Sequence, residues 1–322
     1  MARVLITGGV GFIGSHLCER MLSQGHHVTI VDNLDDFYPR SWKLDNIQVA
    51  RTHRNCVIYE LDVRDADAMR AVLTTGKFEV IVHLAARPGV RPSLDLAPLY
   101  WDINTRGTLT LLELAKAHRP AKFIFASSSS IYGNSARIPF VEEHPGDQPV
   151  SPYAASKRSA ELLCSTYQHL YDLNITCLRL FTVYGPRNRP DLAVAKFTEL
   201  IDRGQVLPLF GDGSAKRDFT YIDDIVTGIL GAIDHCEGFS TYNLGNSRPV
   251  ELRRLIEIIE TALGKSAHIE HEDAKPGDVE ITYADVTKAR REIGFNPSTS
   301  IEEGITRYVS WYRDVHAIRR RA

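Results

Sequence analysis

Tyr153 and Lys157 are the two residues whose types and spacing most directly indicate chemistry. They lie one turn apart in a predicted helix and therefore share a face. An ammonium beside a phenol stabilises the phenolate and is expected to lower the pKa of Tyr153 from about 10. A phenolate near neutral pH is a competent general base toward a hydroxyl group. The same spacing also fits a tyrosine packed in the core and a lysine exposed to solvent. The neighbouring sequence elements must decide between these two interpretations.

Two elements are predicted to hold this pair in place. Ser151 and Pro152 are typical of a helix start, where serine caps the helix and proline occupies its first position. A predicted strand at 122–126 runs directly into four serines. Ser128 lies at the end of that strand, so its hydroxyl is expected to hydrogen-bond the group that Tyr153 deprotonates.

The N-terminus has the pattern of a dinucleotide cradle. A β-branched run, 3–7, leads into glycines and then into a segment with helical apolar spacing. Glycines allow the backbone to approach a pyrophosphate, and the next helix directs its free N–H groups at the phosphates. A plain structural turn is the alternative. The residues expected at the cofactor are Gly8, Gly11, Phe12, Ile13 and Gly14.

Carboxylates and small residues end the next predicted strands. Asp32 follows strand 27–31, where it can accept hydrogen bonds from both adenosine ribose hydroxyls and repel a 2′-phosphate, which predicts NAD rather than NADP. Asp62 closes strand 56–61 and either accepts a bond from the adenine amino group or caps the following helix. Further predicted cofactor residues are Asn33, Val63, Leu84, Ala85 and Ala86, together with Tyr153 and Lys157.

Strands and helices alternate regularly as far as Phe181. This rhythm predicts a doubly wound, parallel α/β sheet of the Rossmann type, with ligands at the carboxyl ends of its strands. We expect an NAD-binding domain at 1–181, with returns to the sheet near 215–245, and a smaller α/β substrate-binding region at 182–322. Between residues 34 and 55 we expect a loop with one short helix.

Composition excludes several classes of partner. The 322 residues carry a net charge of −2, which gives no general reason to expect nucleic acid or an anionic membrane. No apolar run approaches the roughly 18 residues that span a bilayer. Five scattered cysteines without a CxxC pair, and no N-terminal signal region, predict a cytoplasmic protein. His268 and His271 lack a third suitably placed ligand, so no metal is expected.

With these motifs in place, the chain resembles the extended short-chain dehydrogenase/reductases of the nucleotide-sugar epimerase/dehydratase family over essentially its whole length. The resemblance rests on 7–14, Ser128, Tyr153 and Lys157. It implies that these last three residues carry catalysis, that NAD stays bound through the cycle, and that Lys157 contacts the nicotinamide ribose. It also implies a homodimer formed through helices near 98–117 and 151–171.

Two stretches indicate which branch of the family this is. Dehydratases and decarboxylases of the family carry acidic residues just before the tyrosine-glycine at 132–133, whereas this sequence has serines, which favours epimerisation. Thr182 and the GPRxRPD run at 185–191 resemble UDP-glucuronate 4-epimerases, as does 85–91, although Arg87 and Pro88 replace the usual glutamine and alanine. UDP-glucose 4-epimerases usually have asparagine where Thr182 stands.

A nucleoside diphosphate-linked uronic acid needs cationic partners. Arg217 matches the family arginine on the diphosphate, Lys275 a second contact where arginine is usual, and Asp278 would face ribose hydroxyls; a solvated loop is the alternative. For the sugar carboxylate, arginine and hydroxyl groups are expected, although the loop arginines also fit surface ion pairs. The predicted substrate-binding residues are Arg91, Ser128, Ser129, Thr182, Arg189, Arg217, Lys275 and Asp278.

The resemblance implies C4 epimerisation of a UDP-sugar through a transient 4-keto intermediate, with UDP-glucuronate converted to UDP-galacturonate. The 4-keto uronic acid is a β-keto acid that readily loses CO₂, so the carboxylate must be held firmly. Two alternatives stay open: a UDP-glucose 4-epimerase, and a non-catalytic NAD-binding regulatory protein that kept the fold.

Overall fold

The structure, a computed structural model, describes residues 1–135, 137–273 and 279–319, with the backbone alone for 316–319. Lys275 and Asp278, two predicted substrate-binding residues, lie outside these ranges. The strands in chain order are β1 (Arg3–Thr7), β2 (His27–Asp32), β3 (Cys56–Glu60), β4 (Val80–His83), β5 (Lys122–Ser128), β6 (Ile175–Leu180), β7 (Thr182–Tyr184), β8 (Val206–Phe210), β9 (Lys216–Tyr221), β10 (Phe239–Leu244), β11 (Pro249–Glu251) and β12 (His268–Glu272).

The helices connect these strands and cover the main sheet. In chain order they are α1 (Phe12–Ser23), α2 (Arg40–Asn46), α3 (Gln48–Thr52), α4 (Ala66–Gly76), α5 (Val90–Asp95), α6 (Ala97–Tyr100), α7 (Gly107–His118), α8 (Pro152–Tyr171), α9 (Ala193–Asp202), α10 (Ile222–Asp234), α11 (Leu252–Leu263), α12 (Thr287–Ile293) and α13 (Ile301–Arg319). A π-helical turn, Trp101–Arg106, joins α6 to α7, and a 3₁₀ turn, Ser129–Tyr132, follows β5.

The central sheet has seven strands in the order β10-β6-β5-β4-β1-β2-β3, and all neighbouring strands are parallel. Its two faces are both buried, which explains the continuous β-branched and apolar runs. Val4 and Ile6 pack into one hydrophobic cluster with α1 and α10, whereas Leu5 packs into another with α4, α7 and α8. The predicted doubly wound Rossmann-type fold is confirmed.

The chain after Phe181 contributes to three sheets. β10 pairs with β6 in the main sheet, from Phe239 opposite Ile175 to Leu244 opposite Leu180. β9 lies between β7 and β11 in a three-stranded sheet, and β8 pairs with β12. The division into domains at residue 181 stays a prediction.

Local boundaries differ from expectation at two places. The segment between β2 and β3 holds two short helices, α2 and α3, instead of one, because the chain turns at Ile47. β4 ends at His83 rather than at Ala86, and only Leu84 continues its pairing, with its N–H donating to the Thr7 carbonyl at 3.0 Å. Ala85 and Ala86, which follow it, do not continue the pairing between β4 and β1, and they line the same cleft as the glycine turn.

Candidate active site

The glycine turn between β1 and α1 is shaped for close approach. Gly8 has a φ of +71°, and a Cβ there would lie 2.7 Å from the backbone nitrogen of Ala85. A Cβ on Gly14 would overlap the carbonyl oxygen of Gly8. Helix α1 begins after Gly11 without a side-chain cap, so its first N–H groups are open to a phosphate. The turn therefore fits a dinucleotide.

Asp32 lies at the end of β2, where backbone N–H groups fix its carboxylate. Val10 donates to it at 3.2 Å and Leu34 at 2.9 Å. Burial raises the pKa of Asp32 above its usual value, and the two backbone bonds oppose that rise. The carboxylate faces the cleft at the position where an adenosine ribose would need an acceptor.

Asp62 is held by different partners. Arg64 forms an ion pair with it at 2.7 Å, and the side-chain amide of Asn33 donates to it at 3.0 Å. These interactions lower the pKa of Asp62 to about 2. The alternative that Asp62 caps the next helix is wrong, because Asp65 caps α4 by accepting from the N–H of Ala68 at 3.0 Å.

All of the predicted cofactor residues line one cleft at the carboxyl edge of the main sheet. Their binding to a cofactor stays a prediction, but their placement together fits the shape and donor set of NAD. They are Gly8, Gly11, Phe12, Ile13, Gly14, Asp32, Asn33, Asp62, Val63, Leu84, Ala85, Ala86, Tyr153 and Lys157. Arg189, which was predicted for the substrate, also lines this cleft.

Helix α8 carries the tyrosine and the lysine to the cleft as expected. The Ser151 hydroxyl accepts from the N–H of Ala154 at 3.1 Å, and Pro152 occupies the first turn. Lys157 is 4% exposed and donates to the carbonyl of Ala126 at 2.8 Å. Burial lowers the pKa of Lys157 to about 8. Tyr153 is half-buried, with its ring edge-on to Tyr100 at 6.2 Å.

The expected lowering of the Tyr153 pKa by Lys157 is wrong. Burial raises the pKa of this phenol, and the interactions that oppose the rise come from the Ser128 hydroxyl and the Arg189 guanidinium. The ammonium of Lys157 is instead bound to a backbone carbonyl. Desolvation therefore dominates at Tyr153, and the groups that favour its phenolate lie on β5 and on the loop after β7.

The predicted substrate-binding residues lie at several places. Ser128 ends β5, Ser129 opens the 3₁₀ turn, and Thr182 begins β7. Arg91 lies over the ring of Phe210 at 4.3 Å. Arg217, on β9, donates to the carbonyl of Lys216 at 2.9 Å. Their binding to one substrate stays a prediction.

Arg189 forms a two-point ion pair with Asp191, in which both N–O distances are 2.9 Å. Its guanidinium also lies 5.6 Å from the ring centre of Phe37. The surface ion pair considered for the loop arginines is thus present, but at the wall of the cleft. From this position the positive charge of Arg189 favours the phenolate of Tyr153 and opposes the rise in pKa that burial causes.

Sequence reasoning missed a strap over the cleft, residues 35–38. Phe37 packs near two guanidinium groups: its ring centre lies 4.9 Å from the guanidinium carbon of Arg87, which follows β4, and 5.6 Å from that of Arg189, in the loop after β7. Asp35 is tied down by Lys43 at 2.5 Å and by Arg87 at 2.8 Å. No local pattern indicates the contacts with Arg87 and Arg189, because these join segments that are distant in the chain.

Within the described ranges, no three histidine, cysteine or acidic side chains are grouped as metal ligands would be. The Nδ1 atom of His271 is hydrogen-bonded to the carbonyl oxygen of Gly211 at 2.9 Å. None of the helices in the described part of the chain has the length and apolar character needed to cross a membrane.

Comparison with known proteins places this geometry in a family. A sequence model of the GDP-mannose 4,6 dehydratase family matches residues 5–308. The chain belongs to this family. The family assignment to the extended short-chain dehydrogenase/reductases, predicted from the glycine turn and from Ser128, Tyr153 and Lys157, is thereby confirmed.

Several known proteins match the chain almost end to end. A UDP-glucuronate 4-epimerase of Thermodesulfobacterium geofontis is 41% identical over 98% of this chain and 97% of its own length. The crystal structure of a Bacillus cereus UDP-glucuronic acid 4-epimerase, in complex with UDP-glucuronic acid and NAD, is 34% identical with a TM-score of 0.90, covering 97% of this chain and 99% of that one. A Thermotoga maritima UDP-glucose 4-epimerase with UDP-glucose is 32% identical, also with a TM-score of 0.90 and the same coverage.

Proposed function

We propose that this protein catalyses NAD-dependent epimerisation at C4 of a UDP-sugar, with UDP-glucuronate as the substrate and UDP-galacturonate as the product. The observation that carries the proposal is the position of the Tyr153 phenol, which lies in the predicted cofactor cleft and interacts with Ser128 and Arg189. The UDP-glucuronate 4-epimerase relatives described above support the same reaction.

In the proposed reaction Tyr153 accepts the proton of the C4 hydroxyl and later returns it. The Ser128 hydroxyl holds the sugar oxygen and favours the phenolate. NAD, when bound, would supply the hydride acceptor and donor for the reversible oxidation of C4. Lys157, buried below the cleft, would hold the nicotinamide ribose. Between the two steps the keto sugar presents its other face, so C4 is inverted without net oxidation.

The substrate carboxylate needs a desolvated cationic partner. We assign this role to Arg189 with Thr182, Ser128 and Ser129 as hydroxyl donors. Arg189 fits because Asp191 already orients its guanidinium at the wall of the cleft. A firmly held carboxylate also prevents the β-keto acid intermediate from losing CO₂. Serines rather than carboxylates at 128–130 further favour epimerisation over dehydration.

The UDP moiety would be held by residues from the late part of the chain. Arg217 and Lys275 are proposed to neutralise the diphosphate, Asp278 to accept from ribose hydroxyls, and Arg91 to line the substrate side. Lysine at 275 provides a point charge where the family usually has a planar guanidinium, so this contact would be weaker.

The test is to assay the purified protein with UDP-glucuronate, UDP-glucose and UDP-xylose and to follow the 4-epimers. We expect Arg189→Ala to reduce turnover of UDP-glucuronate far more than turnover of UDP-glucose. Arg70, which forms an exposed ion pair with Asp67 at 3.0 Å on α4, provides a matched control. Equal losses on both sugars in Arg189→Ala would refute the carboxylate assignment.

The two alternatives give different results in the same assay. A UDP-glucose 4-epimerase would convert UDP-glucose efficiently and leave UDP-glucuronate unchanged. A non-catalytic NAD-binding protein would convert none of the three sugars while still retaining NAD. The threonine at 182 and the cleft position of Arg189 favour the uronic acid.

A homodimer through the helices near 98–117 and 151–171 is proposed from the apolar surface there. Trp101 and Leu162 are each about half exposed, at 53% and 52%. Light scattering should give twice the chain mass of 36.1 kDa. Leu162→Glu should give a monomer, and Val206→Glu, an equally exposed site on β8, should not.

We also propose a cytoplasmic location. The five cysteines are free thiols in the structure, which is compatible with a reducing compartment. Cell fractionation with an antibody to the chain would test it, and enrichment in a membrane or secreted fraction would contradict it.

A further inference from the structure

A buried carboxylate lies behind the proposed catalytic residues and has no role in the reaction described above. Glu161 is 2% exposed and lies on α8, one turn beyond Lys157 and two turns beyond Tyr153. Residues four apart in a helix are neighbours on its surface, so the three side chains follow one another in a row along α8. Tyr153 and Lys157 line the cleft, whereas Glu161 is not among the residues that line it. Any effect of Glu161 on the reaction must therefore pass through other residues.

Each oxygen of the Glu161 carboxylate accepts two hydrogen bonds. Oε1 accepts from the Ser127 hydroxyl at 2.5 Å and from Nε of Arg179 at 3.1 Å. Oε2 accepts from a terminal nitrogen of Arg179 at 3.1 Å and from Arg158 at 3.1 Å. Hydrogen bonds to a charged group are stronger than neutral ones, and a two-point arginine pair also fixes orientation. The carboxylate thereby joins α8 to both β5 and β6.

The end of β5 depends on this support because it is paired on one side only. β4 pairs with β5 as far as Phe125, and within the described ranges residues 126–128 pair only with β6. On the open side, helix α8 takes the place of a second strand. Lys157 donates to the first carbonyl of this segment, and Glu161 accepts from its middle side chain. The last residue of the segment is Ser128, whose hydroxyl is proposed to hold the sugar oxygen.

Arg179 extends the same network to the turn after β5. It lies opposite Ser127 in the sheet. Its other terminal nitrogen donates to the Tyr132 hydroxyl at 2.8 Å and to the Glu142 carbonyl at 3.0 Å. Tyr132 ends the 3₁₀ turn that begins at Ser129. The segment that carries the serines is thus held at both ends through one buried ion pair.

Glu161 also acts on the charge of Lys157. Burial lowers the pKa of Lys157 to about 8, and the Glu161 carboxylate opposes that lowering. The other groups that face the ammonium are Cys164 on α8, His83 on β4 and the ring of Phe125 on β5, whose centre is 5.0 Å away. Burial lowers the pKa of His83 to about 3, so this imidazole is neutral. Glu161 is therefore the carboxylate that favours the ammonium form of Lys157.

We propose that Glu161 is a positioning residue for the epimerisation: it fixes the Ser128 end of β5 against α8 and pairs its charge with the buried ammonium of Lys157. This assignment rests on the proposed function for its kinetic consequence. Removing one partner of a buried ion pair leaves the other charge uncompensated, so Glu161→Ala is a poor test. Glu161→Gln keeps the size of the side chain and removes its charge.

The charge contact is tested in the NAD-loaded protein without any sugar. NMR of isotope-labelled lysine side chains gives the pKa of Lys157, whose signal is identified by its absence from Lys157→Met. In Glu161→Gln we expect this pKa to fall by about one pH unit or more, because an opposite charge no longer favours the ammonium. Glu113→Gln removes a carboxylate that contacts α8 through Tyr167 and should leave the pKa unchanged. An unchanged pKa in Glu161→Gln would overturn the proposal.

Kinetics test the positioning of Ser128. In Glu161→Gln, kcat for UDP-glucuronate should fall about tenfold to a hundredfold, as expected for a misplaced reacting group. KM should stay within about threefold of wild type, since the proposed carboxylate and diphosphate contacts are untouched. If Glu161→Gln does not fold, Ser127→Ala removes the contact to β5 alone: kcat should fall, while the pKa of Lys157 should stay near its wild-type value.

Two kinetic results would contradict the role of Glu161. One is an unchanged kcat in Glu161→Gln or in Ser127→Ala, and the other is a rise in KM as large as the fall in kcat. A wild-type protein that epimerises none of the UDP-sugars would instead refute the proposed function. The NMR titration would then still decide whether Glu161 holds the charge of Lys157, because it requires no turnover.

Discussion

The cofactor cleft is built from residues that directly follow strands of one parallel sheet, whereas the region after Phe181 is held by side chains that reach between distant segments. In the cleft, Asp32 ends β2 and Leu84 directly follows β4, and the register of the sheet alone brings them to one edge. In the later region, β9 lies beside β7 and β11, and the chain returns near Ala284 to close the arrangement.

Asp218 shows how the later region is held together. This carboxylate is completely buried on β9 and accepts three backbone N–H bonds, from Asn246 at 2.6 Å, Ser247 at 3.0 Å and Ala284 at 3.0 Å. One side chain thus ties β9 to the turn at 246–247 and to the backbone at 284, in addition to the backbone pairing of β9 with β11 and with residues 280–282. The cleft thus depends on backbone shape, whereas the region after Phe181 also depends on a buried polar group, Asp218.

The largest effect is expected from a substitution that removes a catalytic group but leaves both regions of the structure intact. Tyr153→Phe removes the proposed proton acceptor while keeping the ring against Tyr100, so turnover of UDP-glucuronate should fall by about a hundredfold to ten-thousandfold. NAD content and UDP binding should change little, because the ring of Tyr153 stays in the cleft and only its hydroxyl group is lost. Tyr59→Phe, at the edge of the sheet on β3, is the matched control. Loss of bound NAD in Tyr153→Phe would mean that the phenol serves the cleft rather than the reaction.

Asp218→Ala should destabilise the region after Phe181. Its removal leaves three buried N–H groups without an acceptor, each worth about 1–3 kcal/mol, so the free energy of unfolding should fall by about 3 kcal/mol or more. Urea unfolding measures this change, and Asp234→Ala, at an exposed position on α10, should change it by less than about 0.5 kcal/mol. NAD should still bind the folded variant. A loss no larger than that of Asp234→Ala would contradict the role given to Asp218.

The same carboxylate should make stability depend on pH. Burial raises the pKa of Asp218 from 3.8 to about 6, so the folded state holds this proton more tightly than the unfolded state. The stabilisation from protonation is fully present below about pH 4 and is lost as the pH rises through 6. A shift of about two units corresponds to about 3 kcal/mol. The difference in unfolding free energy between wild type and Asp218→Ala should follow this titration.

Gly14→Ala tests whether NAD binding in the cleft depends on the shape of the backbone. A Cβ there would lie 2.7 Å from the Cα of Gly9 as well as overlapping the Gly8 carbonyl, and backbone has to move to admit it. Such overpacking costs about 1–3 kcal/mol, and we expect the loss mainly as weaker NAD binding in equilibrium dialysis. Gly204→Ala, with nothing within 4 Å of its added Cβ, should bind NAD normally. Equal NAD affinity in the two variants would contradict a shape-dependent cradle.

The difference between the cleft and the region after Phe181 also explains which features could be predicted from the sequence. The order of strands and helices, the helix start at Ser151 and the placement of the predicted cofactor residues in one cleft all follow from local patterns and from the rule that ligands bind at the carboxyl edge of a parallel sheet. The strap residue Phe37 and the buried Asp218 were missed because their partners lie far away in the chain, so no spacing indicates them. The pKa of Tyr153 was predicted in the wrong direction because helical spacing says which groups share a face but not how much water they lose.

The smallest effect is expected from removing one of two helix caps, on helices that pack against the same sheet. Ser151 caps α8 and Asp65 caps α4, each through one bond to a backbone N–H, so replacing either with alanine should cost about 1 kcal/mol of unfolding free energy. Only α8 carries Tyr153 and Lys157. Ser151→Ala should therefore also lower kcat for epimerisation, whereas Asp65→Ala should leave kcat unchanged. If both variants lost stability equally and neither lost activity, the first turn of α8 would not be what positions the phenol, and the strand-end contacts of Ser128 and Ala126 would have to do so.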